Sequence, residues 1–142
     1  MSIKKKLLIV GLGYITETFI RHYANDFKIH LLSNHKKSSS KQYELISLKE
    51  LGKYDFDNVI FASSVSSFKE PTESELERFL EYTKKVVNNI SKNYLKKIIY
   101  LSSSAVYGIG SNPFTENSEI FKNTKYQREK TEVESILSLI HI

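Results

Sequence analysis

The stretch Lys5-Lys6-Leu7-Leu8-Ile9-Val10-Gly11-Leu12-Gly13-Tyr14-Ile15-Thr16 decides how the rest of the chain is read. Residues 5 to 10 are a short apolar run closed by a glycine turn, which suits a parallel strand buried on both faces. Residues 14 to 24 carry Ile15, Phe19, Ile20 and Tyr23 at helical spacing, which predicts a helix. Gly11-Leu12-Gly13 therefore stands where a strand meets a helix. At such a junction the first glycine permits a tight turn. The second lets a pyrophosphate approach the amide-rich helix N-terminus. Gly11, Gly13, Tyr14 and Ile15 are accordingly candidate cofactor-binding residues. The third small position is Thr16 where the fingerprint has glycine, so the match is imperfect and an ordinary strand-to-helix turn is the competing reading.

Working outward, residues 27–32 (FKIHLL) form a second strand, and residues 33–41 a polar loop. Residues 43–47 read as a weak third strand, followed by a helical turn near 48–51. Residues 57–62 (DNVIFA) are a strong fourth strand. A long helix opens after Pro71 and reaches about Ser91, with Leu76, Phe79, Leu80, Val86, Val87 and Ile90 along one face. Residues 97–101 (KIIYL) make a fifth strand. Residues 102–124 are mostly loop, and a last helix starts at about Lys125 and is expected to reach the end of the chain. This alternation is that of a parallel sheet covered by helices, held in one domain over residues 1–142.

Composition narrows the function classes. At 142 residues, 40% of them hydrophobic and 26% charged, the sequence is ordinary for a globular domain that buries roughly 70% of its unfolded surface. Without cysteine, neither a disulfide framework nor a thiolate metal site is available, and the four histidines show no ligand spacing. No metal is expected. The opening basic residues and apolar run resemble a signal peptide only superficially, since Gly11, Gly13 and Glu17 interrupt them and no small-residue cleavage site follows. A cytoplasmic protein without a membrane partner is the expectation. The net charge of +5 arises from lysines in short groups along the whole chain with 16 acids interspersed. That describes a solvated surface better than a nucleic-acid interface.

A NAD-binding unit usually places an acid about 20 residues beyond the glycines, on the adenosine ribose. Here that position is Ser33, followed by Asn34, His35, Lys36 and Lys37. A hydroxyl and two cations tolerate a 2′-phosphate better than a carboxylate would, so the cofactor is NAD(P), tilted towards NADP; an exposed basic loop is the competing account. Ala62 and Ser63, where the fourth strand ends, join Ser33, Asn34 and Lys36 as candidate cofactor contacts, because ligands of such sheets bind at the carboxyl ends of the strands.

Two further motifs carry chemistry. Leu101-Ser102-Ser103-Ser104-Ala105-Val106-Tyr107-Gly108 leaves the fifth strand with three hydroxyls. Tyr126-Gln127-Arg128-Glu129-Lys130 places Tyr126 and Lys130 one helical turn apart. With nine tyrosines in the chain, roughly one such pair arises by chance, so its weight comes from its position 23 residues after Ser103.

Taken together, these residues resemble the extended short-chain dehydrogenase/reductases, the family of nucleotide-sugar epimerases, dehydratases and reductases. The similarity lies in Ser102 to Gly108, then Pro113-Phe114-Thr115-Glu116, then Tyr126, Lys130 and Glu134. It spans essentially the whole chain and is most specific from Ile98 to Glu134. The resemblance implies an α/β fold, a Rossmann-type doubly wound parallel sheet of about five strands. It also implies that Ser103, Tyr126 and Lys130 are catalytic, with Tyr126 as acid/base and both Tyr126 and Lys130 touching the cofactor. Lys130 would hold the nicotinamide ribose and Ser103 the substrate hydroxyl. A tyrosine ordinarily titrates near pH 10, so acid/base work near neutrality requires about 4 kcal/mol of preference for the phenolate, which a nearby ammonium helps supply. The family's 4,6-dehydratases carry Asp-Glu directly after the catalytic hydroxyl residue. Ser104 and Ala105 stand there in this sequence, which favours an epimerase or ketoreductase acting on a nucleotide-sugar. Family members run to about twice this length, so the chain is read as truncated, lacking the C-terminal substrate lobe. A catalytically inactive dinucleotide-binding fragment of such an enzyme is the alternative. A homodimer is the partner that the resemblance implies, and an exposed apolar tail at residues 136–142 would favour self-association.

Overall fold

The computed structural model describes residues 3–36, 38–65, 69–110 and 113–140. The chain divides into two compact units, one of residues 1–63, 85–101 and 142, the other of residues 64–84 and 102–141.

The first unit is built on a five-stranded parallel sheet. Its strands are β1 (Lys5–Val10), β2 (Phe27–Leu32), β3 (Glu44–Leu45), β4 (Asn58–Phe61) and β5 (Lys97–Tyr100), in the order β3-β2-β1-β4-β5. This is the Rossmann-type arrangement expected from the sequence. β1 lies at the centre, and its residues Leu7 to Val10 are all buried, as a strand covered on both faces requires. On one face Leu7, Ile9, Ile29 and Leu31 pack with Ile20 of helix α1 (Tyr14–Tyr23). Each such side chain contributes about 2 kcal/mol by burial. Asp57 ties the start of β4 to β1 by accepting the Lys6 backbone N–H at 2.9 Å. That bond, with the Lys96 ammonium, holds its carboxyl below the usual carboxylate range.

The strand predictions hold to within a residue or two except for β3, which shrinks to two residues. The apolar residues at helical spacing in α1 are not all buried. Ile15 is 64% exposed and Tyr23 48%, while Thr16 is buried beside Ile20, with Phe19 half-buried. The turn expected near 48–51 is a 3-10 helix running Leu48–Lys53, pinned by Leu51 in the core.

Helix α2 (Glu73–Asn89) buries Leu76, Phe79, Leu80, Val86 and Val87 along the anticipated face, with Ile90 just beyond its end. In the second unit, the segment expected to be loop contains a 3-10 turn, Ser104–Tyr107, with Val106 buried. Helix α3 (Lys125–Ser138) opens on a Thr124 cap, whose hydroxyl accepts the Gln127 N–H at 3.1 Å. It stops at Ser138, short of the chain end, where residues 141–142 lie outside the described residues. The tail is not an exposed apolar surface. Ile136, Leu137 and Ile140 are buried, and Leu139 alone of the described tail is a large exposed apolar residue.

Candidate functional site

The candidate residues fall in both units. In the first, Gly11 adopts φ +94, which L side chains rarely take, and a Cβ there would stand 2.7 Å from the Ser63 backbone. The glycine thus serves both the turn and the close passage of the segment leaving β4. Gly13 is different. Its backbone is extended, and a Cβ on it would meet nothing within 4 Å. The turn therefore leaves open space at the start of α1, where the amides of Tyr14, Ile15 and Thr16 have no intrahelical acceptor. Donors facing open space fit a pyrophosphate, so the residues present suit a dinucleotide.

Thr16, the departure from the fingerprint, turns out to stitch this loop together. Its buried hydroxyl accepts the Gly13 N–H at 3.0 Å and lies 3.1 Å from the Gly11 carbonyl and 3.2 Å from that of Gly13. Tyr14, at 86% exposure, and Ile15 have side chains in solvent, so what they offer a ligand is their amides. Ser33 follows β2 directly, and its hydroxyl accepts the His35 N–H at 3.2 Å. Asn34 and Lys36 are exposed, and Lys37 lies outside the described residues. Lys36 and Arg21 line a cavity of about 320 Å³ together with Leu12 of the glycine loop, Glu17, Ser40 and Tyr43. Ala62 donates its backbone N–H to the Val10 carbonyl at 2.8 Å, which keeps the end of β4 against the end of β1.

In the second unit, Tyr126 and Lys130 come together as their spacing predicts, with the ammonium 5.4 Å from the ring centroid. Ser103 caps the 3-10 turn, its hydroxyl accepting the Ala105 N–H at 3.2 Å. The Gln127 side-chain amide donates to the Ala105 carbonyl at 2.9 Å, fastening the first turn of α3 to the turn that Ser103 begins. Ser102 donates its hydroxyl to Glu134. Arg128 forms a two-pronged contact with Glu73 of α2, at 2.7 and 3.0 Å.

One residue here escaped the sequence reading. Glu129 is fully buried, its carboxylate 2.5 Å from the Ser64 hydroxyl and 3.8 Å from the Lys130 ammonium. Between Arg128 and Lys130 it reads as a solvated acid. Yet Glu129, Val133, Ile136, Leu137 and Ile140 recur at helical spacing, and all five are buried, so the periodicity held the signal.

The sequence profile of the NAD-dependent epimerase/dehydratase family matches residues 46–141. The chain belongs to that family. Solved structures support the fold. The chain matches UDP-N-acetylglucosamine 4-epimerase from Methanobrevibacter ruminantium M1 with a TM-score of 0.72 and 24% identity, over 97% of this chain and 51% of that one. For UDP-glucuronic acid 4-epimerase from Bacillus cereus, solved with UDP-glucuronic acid and NAD, the values are 0.78 and 16%, over 96% and 52%. For the Helicobacter pylori ADP-L-glycero-D-manno-heptose-6-epimerase they are 0.70 and 22%, over 96% and 51%. This family member thus spans about half the length of the structures it matches. No curated protein sequence matches the chain. Among the described residues no helix is long and apolar enough to cross a membrane, and no cluster of potential ligands could hold a metal ion.

Proposed function

We propose that the chain is the cofactor-binding part of an NAD(P)-dependent epimerase or ketoreductase acting on a nucleotide-activated sugar, with Tyr126 as its acid/base. The observation that carries this reading is the Lys130 ammonium poised over the Tyr126 ring on a helix whose first turn is fastened to the turn capped by Ser103. Family membership and the open space at Gly13 support it independently.

When bound, the cofactor supplies hydride transfer. The chain's own part is to bind, orient and move a proton. Gly11 and Gly13 bring backbone amides to the pyrophosphate, and Lys130 holds the nicotinamide ribose. The ammonium stabilises the Tyr126 phenolate, so the phenol can exchange a proton with a substrate hydroxyl that Ser103 orients. Ser104 and Ala105 offer no carboxyl for removing water, which favours epimerisation or ketone reduction over dehydration. In the adenosine region, Lys36 and Arg21 on one cavity favour a 2′-phosphate, hence NADP, although NAD accompanies the Bacillus cereus enzyme. The second reading is that this chain by itself binds dinucleotide without turning over substrate.

The test is a titration with NADH and NADPH, following nicotinamide fluorescence, beside Gly13→Asp. Because the position is open, Gly13→Asp keeps the fold and sets a carboxylate against the pyrophosphate. Saturable binding that this substitution abolishes is the expected result, with NADPH the tighter ligand. A folded chain that binds neither cofactor overturns the proposal. Binding without conversion of any nucleotide-sugar selects the second reading.

A further inference from the structure

The Ser64–Glu129–Lys130 cluster is not accounted for by the roles assigned to Tyr126, Lys130 and Ser103. A buried carboxylate is expensive to desolvate, and adjacent helix residues do not ordinarily face one another. Here Glu129 is fully buried and Lys130 is only 5% exposed, so both side chains of the Glu129-Lys130 step are drawn inward. Ser64, 65 residues earlier in the chain, donates to the Glu129 carboxylate at 2.5 Å and fixes it. That carboxylate stands 3.8 Å from the Lys130 ammonium, which lies over the Tyr126 ring. Elsewhere in this unit, Ser102 donates to Glu134 and Arg128 to Glu73 of α2.

We infer that Glu129 is a positioning residue for Lys130: its buried carboxylate, anchored by Ser64, keeps the lysine charged and held over Tyr126. The inference rests on the proposed function for its purpose, but its geometry is independent of any cofactor. It makes the charge of Glu129, not its shape, the property that matters. Glu129→Gln keeps the shape and loses the charge, whereas Glu129→Asp keeps the charge on a shorter arm. A residue that merely fills space would show the opposite order of tolerance.

The experiment is acylation of lysines in the full chain at pH 8, read residue by residue by peptide mass spectrometry, with exposed Lys122 as internal reference. A lysine that loses a neighbouring negative charge spends more time as the free, reactive amine. Glu129→Gln is expected to raise the relative rate at Lys130 at least fivefold, and Glu129→Asp to stay within twofold of the wild type. Ser64→Ala should fall between them, and it serves as the test if Glu129→Gln does not fold. The difference should narrow as pH rises towards 10.5, where ordinary lysine amines are about half free. Equal rates in wild type and Glu129→Gln, or an increase that stays as large at pH 10.5 as at pH 8, overturn the inference, the latter because it reports exposure instead of charge. Cofactor titration is a separate readout. Loss of cofactor binding in the wild type would defeat the proposed function while leaving the acylation result standing.

Discussion

The two units differ in the polar groups they bury. The first unit buries neutral ones. Thr16 closes the glycine turn through its hydroxyl, and His30 lies within β2 against Tyr54 and Phe56, with burial holding its pKa below 6.5 against the opposing pull of Glu44 at 3.4 Å. The second unit buries neutral Thr83 and Thr131 too, but adds an ionisable pair, Glu129 beside Lys130. The candidate ligand contacts follow the same division. In the first unit they are mainly backbone, where the position of an amide matters more than the side chain it belongs to. In the second they are side chains, Tyr126 and Lys130 on α3 and Ser103 at the 3-10 turn. Buried ions are costly, and a fold that keeps them concentrates them where charge has a use.

The most direct way to break this comparison is at Gly11. Gly11→Ala forces a Cβ onto the Ser63 backbone at φ +94 and should cost about 3 kcal/mol, read as the shift in a urea unfolding midpoint. Gly13→Ala, into open space, should cost about 1 kcal/mol or less. Equal losses at the two glycines would mean that the turn is not built as described. Next in size is Thr16→Val, which keeps the volume but removes the acceptor of the Gly13 N–H, at about 2 kcal/mol. Thr16→Ser should recover most of that loss.

A smaller effect comes from His30. Because its folded-state pKa is lowered, the unfolded chain binds more protons between that value and 6.5. Stability should therefore be undiminished above pH 6.5, decline as pH falls below it, and level off once the buried ring itself titrates. Unfolding midpoints at pH 7.5 and 5.5 check this, and His30→Phe should flatten that part of the profile. If the variant follows the wild type, the buried histidine is not the source. The smallest effect belongs to the Arg128–Glu73 pair. It is exposed enough for solvent and salt to screen it, so Glu73→Gln should barely move the melting temperature at 0.5 M salt. A large loss there would blur the distinction between the buried ionic cluster and the surface around it.

The sequence by itself determined the sheet and the helix that carries Tyr126 and Lys130. Apolar runs such as KKLLIV and KIIYL are local signals, and a spacing of four residues fixes two side chains on one helix face whatever surrounds them. It also marked Gly11, because only a backbone demand accounts for glycine at that junction. What only the tertiary structure decided is which way the faces turn and which polar groups they enclose. Ile15 and Tyr23 share the apolar character of Ile20, yet they are exposed, while Thr16 is buried with its hydroxyl bonded to the glycine turn. Glu129 is buried because Ser64, 65 residues away in sequence, supplies the hydroxyl that replaces water. Periodicity can place a residue on a face, but the stability of a charge there depends on partners that folding alone brings within reach.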